Sequence, residues 1–220
     1  MLRRSFNKKI LSIILAWGLS PSIVFANSKN QVLSGELLIN KQLVNGNIDQ
    51  NLNDGLIETN EFQSIINIEN DFYLIRPNTK LKFVSNRLSE IIKGSIHAVF
   101  GKRKEELKVK MPQGTIGIRG TSIFVDLEPK KNRSYFCTCY GETLLYDKSG
   151  KLIKSTISTD HVSGAFTDDG KFKRYGLGYL SNTYARKHAG IFDSEMEKLD
   201  VKLKIVTAYY YKDRNFLGTW

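Results

Sequence analysis

The chain has two cysteines, Cys137 and Cys139, placed two residues apart in Ser134-Tyr-Phe-Cys-Thr-Cys-Tyr-Gly141. On a strand, positions i and i+2 face the same side at roughly 6.6 Å, the upper edge of the Cα separation a disulfide tolerates. Bonding the two to each other therefore needs a bend, and no third cysteine offers another partner. Thiolates are soft ligands, and two of the three histidines, His161 and His188, lie downstream. Cys137, Cys139, His161 and His188 form a candidate Cys2His2 set suited to zinc, an iron centre or haem. Their spacing matches no standard finger and lacks the Cys-x-His pairs of a Rieske centre. A strained disulfide, plain burial of the thiols and an intermolecular bridge are the other ways to protect the pair in an oxidising compartment. His97, on an alternating strand, reads as a core or surface residue and stays outside the set.

Other chemistry is thin. No Ser–His–Asp order, paired carboxylates or phosphate loop stands out, and Asp168-Asp169 before Gly170 reads as a turn. Cys-x-Cys also lacks the βαβ pattern of a thioredoxin-like redox site. The expectation is a non-enzymatic binding or sensory protein, with a thiol-redox or cofactor-bearing protein and a structural envelope protein as alternatives.

Net charge excludes little more. The chain carries 33 Lys and Arg against 22 Asp and Glu, a formal +11, of which Arg3, Arg4, Lys8 and Lys9 supply four; 11 − 4 leaves +7. The densest cluster, Lys102-Arg-Lys-Glu-Glu106, already contains two acids. Nucleic-acid binding would want a basic stripe or a known module, so no nucleic-acid partner is expected.

The elements that must position the cysteines are strands. From Gln31 to Phe83 short apolar runs alternate with turn residues, as in Val32–Ile39, Leu56–Thr59, Phe62–Ile68, Asp71–Ile75 and Lys80–Val84. Strands this short with turns this frequent indicate a mainly β domain. Asn45-Gly46 is a strong hairpin signal. Ser95–Phe100 and Leu107–Met111 flank the charged cluster and read as one hairpin. The stretch Lys148–Gly178, rich in Gly, Asp, Ser and Thr, reads as loops with short strands at Leu152-Ile153 and Phe172.

The least ordinary run is Met111–Glu128, where Gly114, Gly117 and Gly120 recur by threes among Ile116, Ile118, Ile123 and Val125. Glycine weakens a strand and is found there mainly at bends and close approaches. Arg119 sits among them, and its rigid fork of donors suits tying backbone carbonyls or one carboxylate.

Taken in order, the Gly35 strand, the Ile57-Glu-Thr59 turn, the Arg76-Pro-Asn-Thr79 loop, the Gly94 strand and Thr115-Ile-Gly-Ile-Arg-Gly-Thr121 resemble the FecR-like domain family over roughly residues 31–147. Gly117, Arg119, Gly120 and Thr121 carry the structural signature. The resemblance implies an all-β periplasmic domain of short strands in a solenoid- or sandwich-like arrangement. Some members relay a surface signal to a cytoplasmic sigma factor through an N-terminal anti-sigma region and one membrane span. Only an export signal precedes the β-domain in this sequence, so the sensing or binding half is what the resemblance implies here. The Cys-x-Cys-Tyr-Gly segment with downstream histidines resembles a subset of the family that carries such a C-terminal extension.

The amino terminus has the three-part secretory pattern: a basic start, apolar Ile10–Leu19, and Val24-Phe-Ala26 at a cleavage site. Arg3-Arg4-Ser5-Phe6-Asn7-Lys8 resembles a twin-arginine signal. The expectation is export through the Tat or Sec route to a Gram-negative periplasm, with no transmembrane span after cleavage and an envelope protein as partner. At the other end, Met196, Leu199, Leu203, Val206 and Tyr210 recur at three and four residues, after a Ser194/Glu197 capping box. The expected organisation is a signal peptide over 1–26, a FecR-like β-domain over 27–147 and an extension over 148–220. That extension holds a helical turn at Thr183–Gly190 and an amphipathic helix over 193–211.

Overall fold

The computed structural model describes residues 30–174, except 70, 102 and 159–161. The export signal, the Thr183–Gly190 turn, the helix over 193–211, His161 and His188 lie outside the described residues.

Alternation of apolar and polar residues builds strands throughout. In chain order they are β1 Gln31–Ser34, β2 Leu37–Ile39, β3 Gln42–Val44, β4 Gly55–Glu58, β5 Ser64–Ile68, β6 Asp71–Ile75, β7 Lys80–Ser85 and β8 Leu88–Lys93. There follow β9 Ser95–Val99, β10 Leu107–Met111, β11 Gly114–Ile118, β12 Ser122–Glu128, β13 Arg133–Tyr146, β14 Leu152–Ser158, β15 Val162–Phe166 and β16 Phe172–Arg174. A three-residue 3-10 turn, Pro129–Lys131, joins β12 to β13. The fold is mainly β, as expected.

The strands form two sheets. Sheet A runs β1-β5-β6-β9-β12-β13-β15-β16, and sheet B runs β3-β2-β4-β7-β8-β10-β11-β13-β14. Pairing is antiparallel except for β8 with β10. Strand β13 belongs to both: Arg133–Tyr140 pairs within sheet A, and Gly141–Tyr146 within sheet B. One core lies between the sheets, drawing Leu37, Ile39, Ile57, Leu81 and Ile91 from B and Ile66, Tyr73, Ile75, Ile96 and Ile123 from A. This is a sandwich. Strand β10 shows the alternation that feeds it, with Leu107, Val109 and Met111 buried and Lys108 and Lys110 exposed. Sheet B turns charge outward, where Lys80 pairs with Glu58 and Lys110 with Glu90 at 3.2 Å.

Three local expectations are corrected. Strands β9 and β10 are not a hairpin, because β9 pairs with β6 and β12 in sheet A while β10 pairs with β8 and β11 in sheet B. The connection between them is a crossing from sheet to sheet, and it is tied down electrostatically. The buried Asp71 carboxylate accepts the Gly101 N–H at 3.0 Å and pairs with Arg103. The hairpin at the start of the chain turns at Asn40-Lys41, both at positive φ (51° and 69°), and not at Asn45-Gly46. Ile39 pairs directly with Gln42, so the two-residue loop needs left-handed backbone at both positions. Asparagine tolerates that region, and its Oδ1 also accepts the Leu56 N–H at 2.9 Å. The stretch after Lys148 holds more strand than expected. Seven-residue β14 extends sheet B, and β15 and β16 extend sheet A. Thr156 and Ser158 are its alternating buried positions along β13, which composition alone does not reveal.

Chain passage between the sheets has a repeated device. Four passages fall at glycines with φ between 75° and 90°: Gly35, Gly94, Gly120 and Gly141. At Gly94 the requirement is double. Left-handed backbone disfavours any side chain, and a Cβ would lie 2.3 Å from Thr79 Oγ1 and 2.7 Å from the Thr79 Cα.

Candidate functional site

The thiols stand on the outer face of sheet A. Along β13, Ser134, Phe136 and Thr138 share one side of the strand, and Phe136 joins the core between the sheets. Tyr135, Cys137 and Cys139 take the other side. Cross-strand register then fixes their neighbours, because directly opposed residues share a face. Cys137 is opposite Phe124 of β12 and Ser163 of β15, and Phe124 is opposite His97 of β9. An irregularity in register between Ser122 and Ile123 lies beside Cys139.

This brings an imidazole to the second thiol. His97 Nε2 lies 4.0 Å from Cys139 Sγ and 2.9 Å from Ser122 Oγ. The ring of His97 meets Phe124 edge-on at 6.5 Å, and Phe124 meets Tyr135 at 6.2 Å. His97, Ser122, Cys137 and Cys139 are all buried. No disulfide joins the two cysteines. His97 is a buried strand residue, consistent with its reading as a core residue, and it is also the described histidine at the thiol pair. The only signal in the sequence was a single polar residue inside the run Ile96-His-Ala-Val-Phe100.

In a tetrahedral zinc site, bond lengths near 2.3 Å to sulfur and 2.0 Å to nitrogen place the two donor atoms about 3.6 Å apart. The Cys139–His97 separation exceeds that by a few tenths of an ångström, within reach of a rotamer adjustment. Among the described residues no group of three or more His, Cys, Asp and Glu side chains is assembled for a metal. Of the predicted ligands, Cys137 and Cys139 are brought to one face, and His161 and His188 fall outside the described residues. Val162 is opposite Thr138, and Ser158 Oγ receives the Val162 N–H at 3.2 Å and lies 3.5 Å from the Cys139 carbonyl oxygen. Ser163, opposite Cys137, is buried with its hydroxyl oxygen lacking a hydrogen-bond partner.

The signature residues lie elsewhere, Gly117 within β11 and Gly120 and Thr121 at the passage from β11 to β12. Thr121 Oγ1 donates to the Glu142 carbonyl at 2.7 Å, and the Phe100 N–H donates to the Thr121 carbonyl at 3.0 Å. Gly117 leaves room for the Glu106 carboxylate, which a Cβ there would meet at 2.6 Å. That carboxylate accepts the Tyr146 hydroxyl at 3.0 Å. The motif elements Thr59, Thr79 and Gly94 meet at a neighbouring corner. Thr59 Oγ1 donates to the Arg76 carbonyl at 2.5 Å and receives the Thr79 N–H at 3.1 Å. Thr79 Oγ1 receives the Ser95 N–H at 3.0 Å. Arg119 differs from the tie that its donors suggest. It is exposed, with no hydrogen bond or ion pair among the described residues.

The turn read from Asp168-Asp169 is one. Asp169 Oδ1 accepts the Thr167 hydroxyl at 2.6 Å and the Lys171 N–H at 3.2 Å. Lys171 and Thr167 hold its carboxyl well below the usual carboxylate range. A shallow groove beside it includes Asp147, Lys148, Lys154 and Phe172. Asp147 is likewise satisfied within its own turn by Ser149 and Lys151.

No family model and no curated protein matches the chain. Among solved structures, it is similar to two crystal structures, at 2.50 Å and 1.65 Å, of a putative anti-sigma factor from Parabacteroides distasonis ATCC 8503. Each superposes with a TM-score of 0.46 at 12% identity, over 55% of this chain. The chain spans 59% of the length of those proteins. Among the described residues, no helix is long and apolar enough to cross a membrane.

Proposed function

We propose that this chain is an exported FecR-like binding or sensory module of the periplasm, non-enzymatic, whose ligand is a soft transition-metal ion. Cys137 and Cys139 are its thiolate ligands, His97 supplies one imidazole, and one of His161 and His188 of the extension supplies the fourth ligand. The observation that carries this reading is the approach of His97 Nε2 to within 4.0 Å of Cys139 Sγ, on a face where both cysteines are buried. A bare ion suits thiols this enclosed better than a haem, whose macrocycle would need the face opened. Zinc or iron fits a mixed thiolate and imidazole donor set. Binding a divalent ion would release one proton from each thiol, so the site would gain no net charge, and the ion would tie β9 to β13 across the face, the kind of change that can bias contact with an envelope partner.

The test is metal analysis of protein exported in its native host. Stoichiometric metal that is lost in Cys137→Ser and reduced in His97→Ala supports the site. Metal-free protein with two titratable thiols sinks it. Replacing Arg3 and Arg4 with lysine tests the route, and undiminished export would argue against twin-arginine targeting.

A further inference from the structure

Among the described residues the two sheets end on four edge strands, β1 and β16 in sheet A and β3 and β14 in sheet B. A bare edge presents unpaired N–H and C=O groups, which soluble proteins blunt with very short strands or outward charge. Three of these edges are blunted by brevity, with four residues in β1 and three each in β3 and β16. Strand β14 has seven, Leu152-Ile-Lys-Ser-Thr-Ile-Ser158, and among the described residues it pairs along its length with β13 alone. Leu152, Ile153 and Ile157 are exposed, Ile157 to 63%. The one charge of the strand does not guard the edge, because Lys154 lays its Nζ over the Phe172 ring, 5.3 Å from the centroid. A register shift leaves Ile153 without an opposite number on β13, but it falls at the start of the strand. Residues 154–158 oppose residues 141–145 without a break.

We infer that β14 is a docking edge for a second copy of this chain, which pairs with it antiparallel through its own β14. The strand is complementary to its own reverse. A two-fold pair centred on Ser155 sets Ile157 opposite Ile153 of the second copy, twice over, and Lys154 opposite the second copy's Thr156. Like charges directly opposed destabilise a strand pair, and here the single cation meets a hydroxyl side chain. Moving the centre to Lys154 would oppose the two ammonium groups, so charge selects against that register. The contact joins the two B sheets into one continuous sheet across a two-fold axis, using the same patch on both copies. Two seven-residue strands bury too little for a permanent dimer, so the association is reversible and set by concentration. It lies on sheet B and does not rest on the metal reading.

The test is sedimentation equilibrium of the whole purified chain from micromolar to near-millimolar concentration. A chelator and a thiol reductant are present, so that neither a shared metal nor an intermolecular disulfide can join copies. The wild type should pass from monomer to dimer across that range. Ile157→Lys, a charge at an exposed edge position, should raise the dissociation constant at least about tenfold, since two cross-strand pairs are lost at once. Ile92→Lys, also exposed on sheet B but on β8 away from the edge, should leave it unchanged. A monomer at every concentration overturns the inference, whatever else takes the edge. So does a dimer that Ile157→Lys leaves intact with its β-sheet circular dichroism unaltered, or an equal loss in Ile92→Lys. Should Ile157→Lys fail to fold, a photo-crosslinking residue at 155 decides. Crosslinks between copies that map to residues 152–158 support the pairing; crosslinks elsewhere, or none, overturn it.

Discussion

The sheet-to-sheet corners and the outer face of sheet A divide the work of this molecule between backbone and side chains. At the corners, Thr79, Thr59 and Thr121 leave almost no freedom, because each satisfies backbone groups that would otherwise be buried unpaired, and Gly94 has no room for a side chain. On the outer face, Cys137, Cys139 and His97 sit within strands, and the backbone does not need their chemistry. Residues that recur as a motif along the sequence are the fold's joints, and residues that could bind something are gathered by pairing across strands.

Substitution can break that contrast, and the largest effect is expected at Gly94. A valine there meets Thr79 backbone and adopts φ +84°. Left-handed strain and overpacking together cost about 3 kcal/mol or more. Thermal unfolding should show a collapse in midpoint; retention of wild-type stability would deny the corners their structural role.

Arg103→Met is expected to cost about 2 kcal/mol, since it strips a charge-assisted hydrogen bond from the buried Asp71 carboxylate. Burial pushes Asp71 above its ordinary range, and Arg103 and the Gly101 N–H only partly oppose this. The sign follows from linkage: a folded-state value above the unfolded one means that folding favours the protonated form. The stability this group adds is complete below the ordinary carboxylate pKa and is lost as pH rises through the raised one. Denaturation midpoints across pH 3–7 should show this decline in the wild type and lose it in Asp71→Asn. A decline of equal size in the variant would assign it to another group.

Cys139→Ser should cost about 1 kcal/mol, the penalty of placing a hydroxyl on an apolar face, while the β-sheet spectrum stays unchanged. Chemical denaturation checks the first and circular dichroism the second. A loss as large as that at Gly94 would erase the distinction between face and corner. The smallest effect is expected at Arg119. Its exposed side chain has no hydrogen bond or ion pair among the described residues, so Arg119→Ala should stay within about 0.5 kcal/mol of the wild type. A larger loss would return Arg119 to the corner's hardware.

What was legible in the sequence follows the same division. Local alternation reported the strands faithfully; Leu107-Lys-Val-Lys-Met111 needs nothing beyond its own pattern to place three residues inward. Corner motifs were legible too, because glycine and threonine at a bend answer a local backbone demand. The Ser95–Phe100 and Leu107–Met111 pair misled because a charged connection between two strands looks alike whether the chain folds back or changes sheet. The thiol–imidazole approach was not legible. His97 and Cys139 are 42 residues apart and meet only through the register of β12, which lies between β9 and β13. No spacing rule encodes a contact passed through an intermediate strand. The shared burial of Cys137 and Cys139 was legible as a same-face pair, because it needs only the two-residue period of a strand.

The division of β13 between the sheets bears on how the chain is assembled. This one strand of 14 residues pairs with β12 and β15 in one sheet and with β11 and β14 in the other. As the polypeptide emerges from the ribosome, twelve strands precede it, yet neither sheet can close until residues 133–146 arrive. The two halves of the sandwich therefore gain their final support from the same segment at the same moment, and a chain cut short before Tyr146 leaves both of them unfinished.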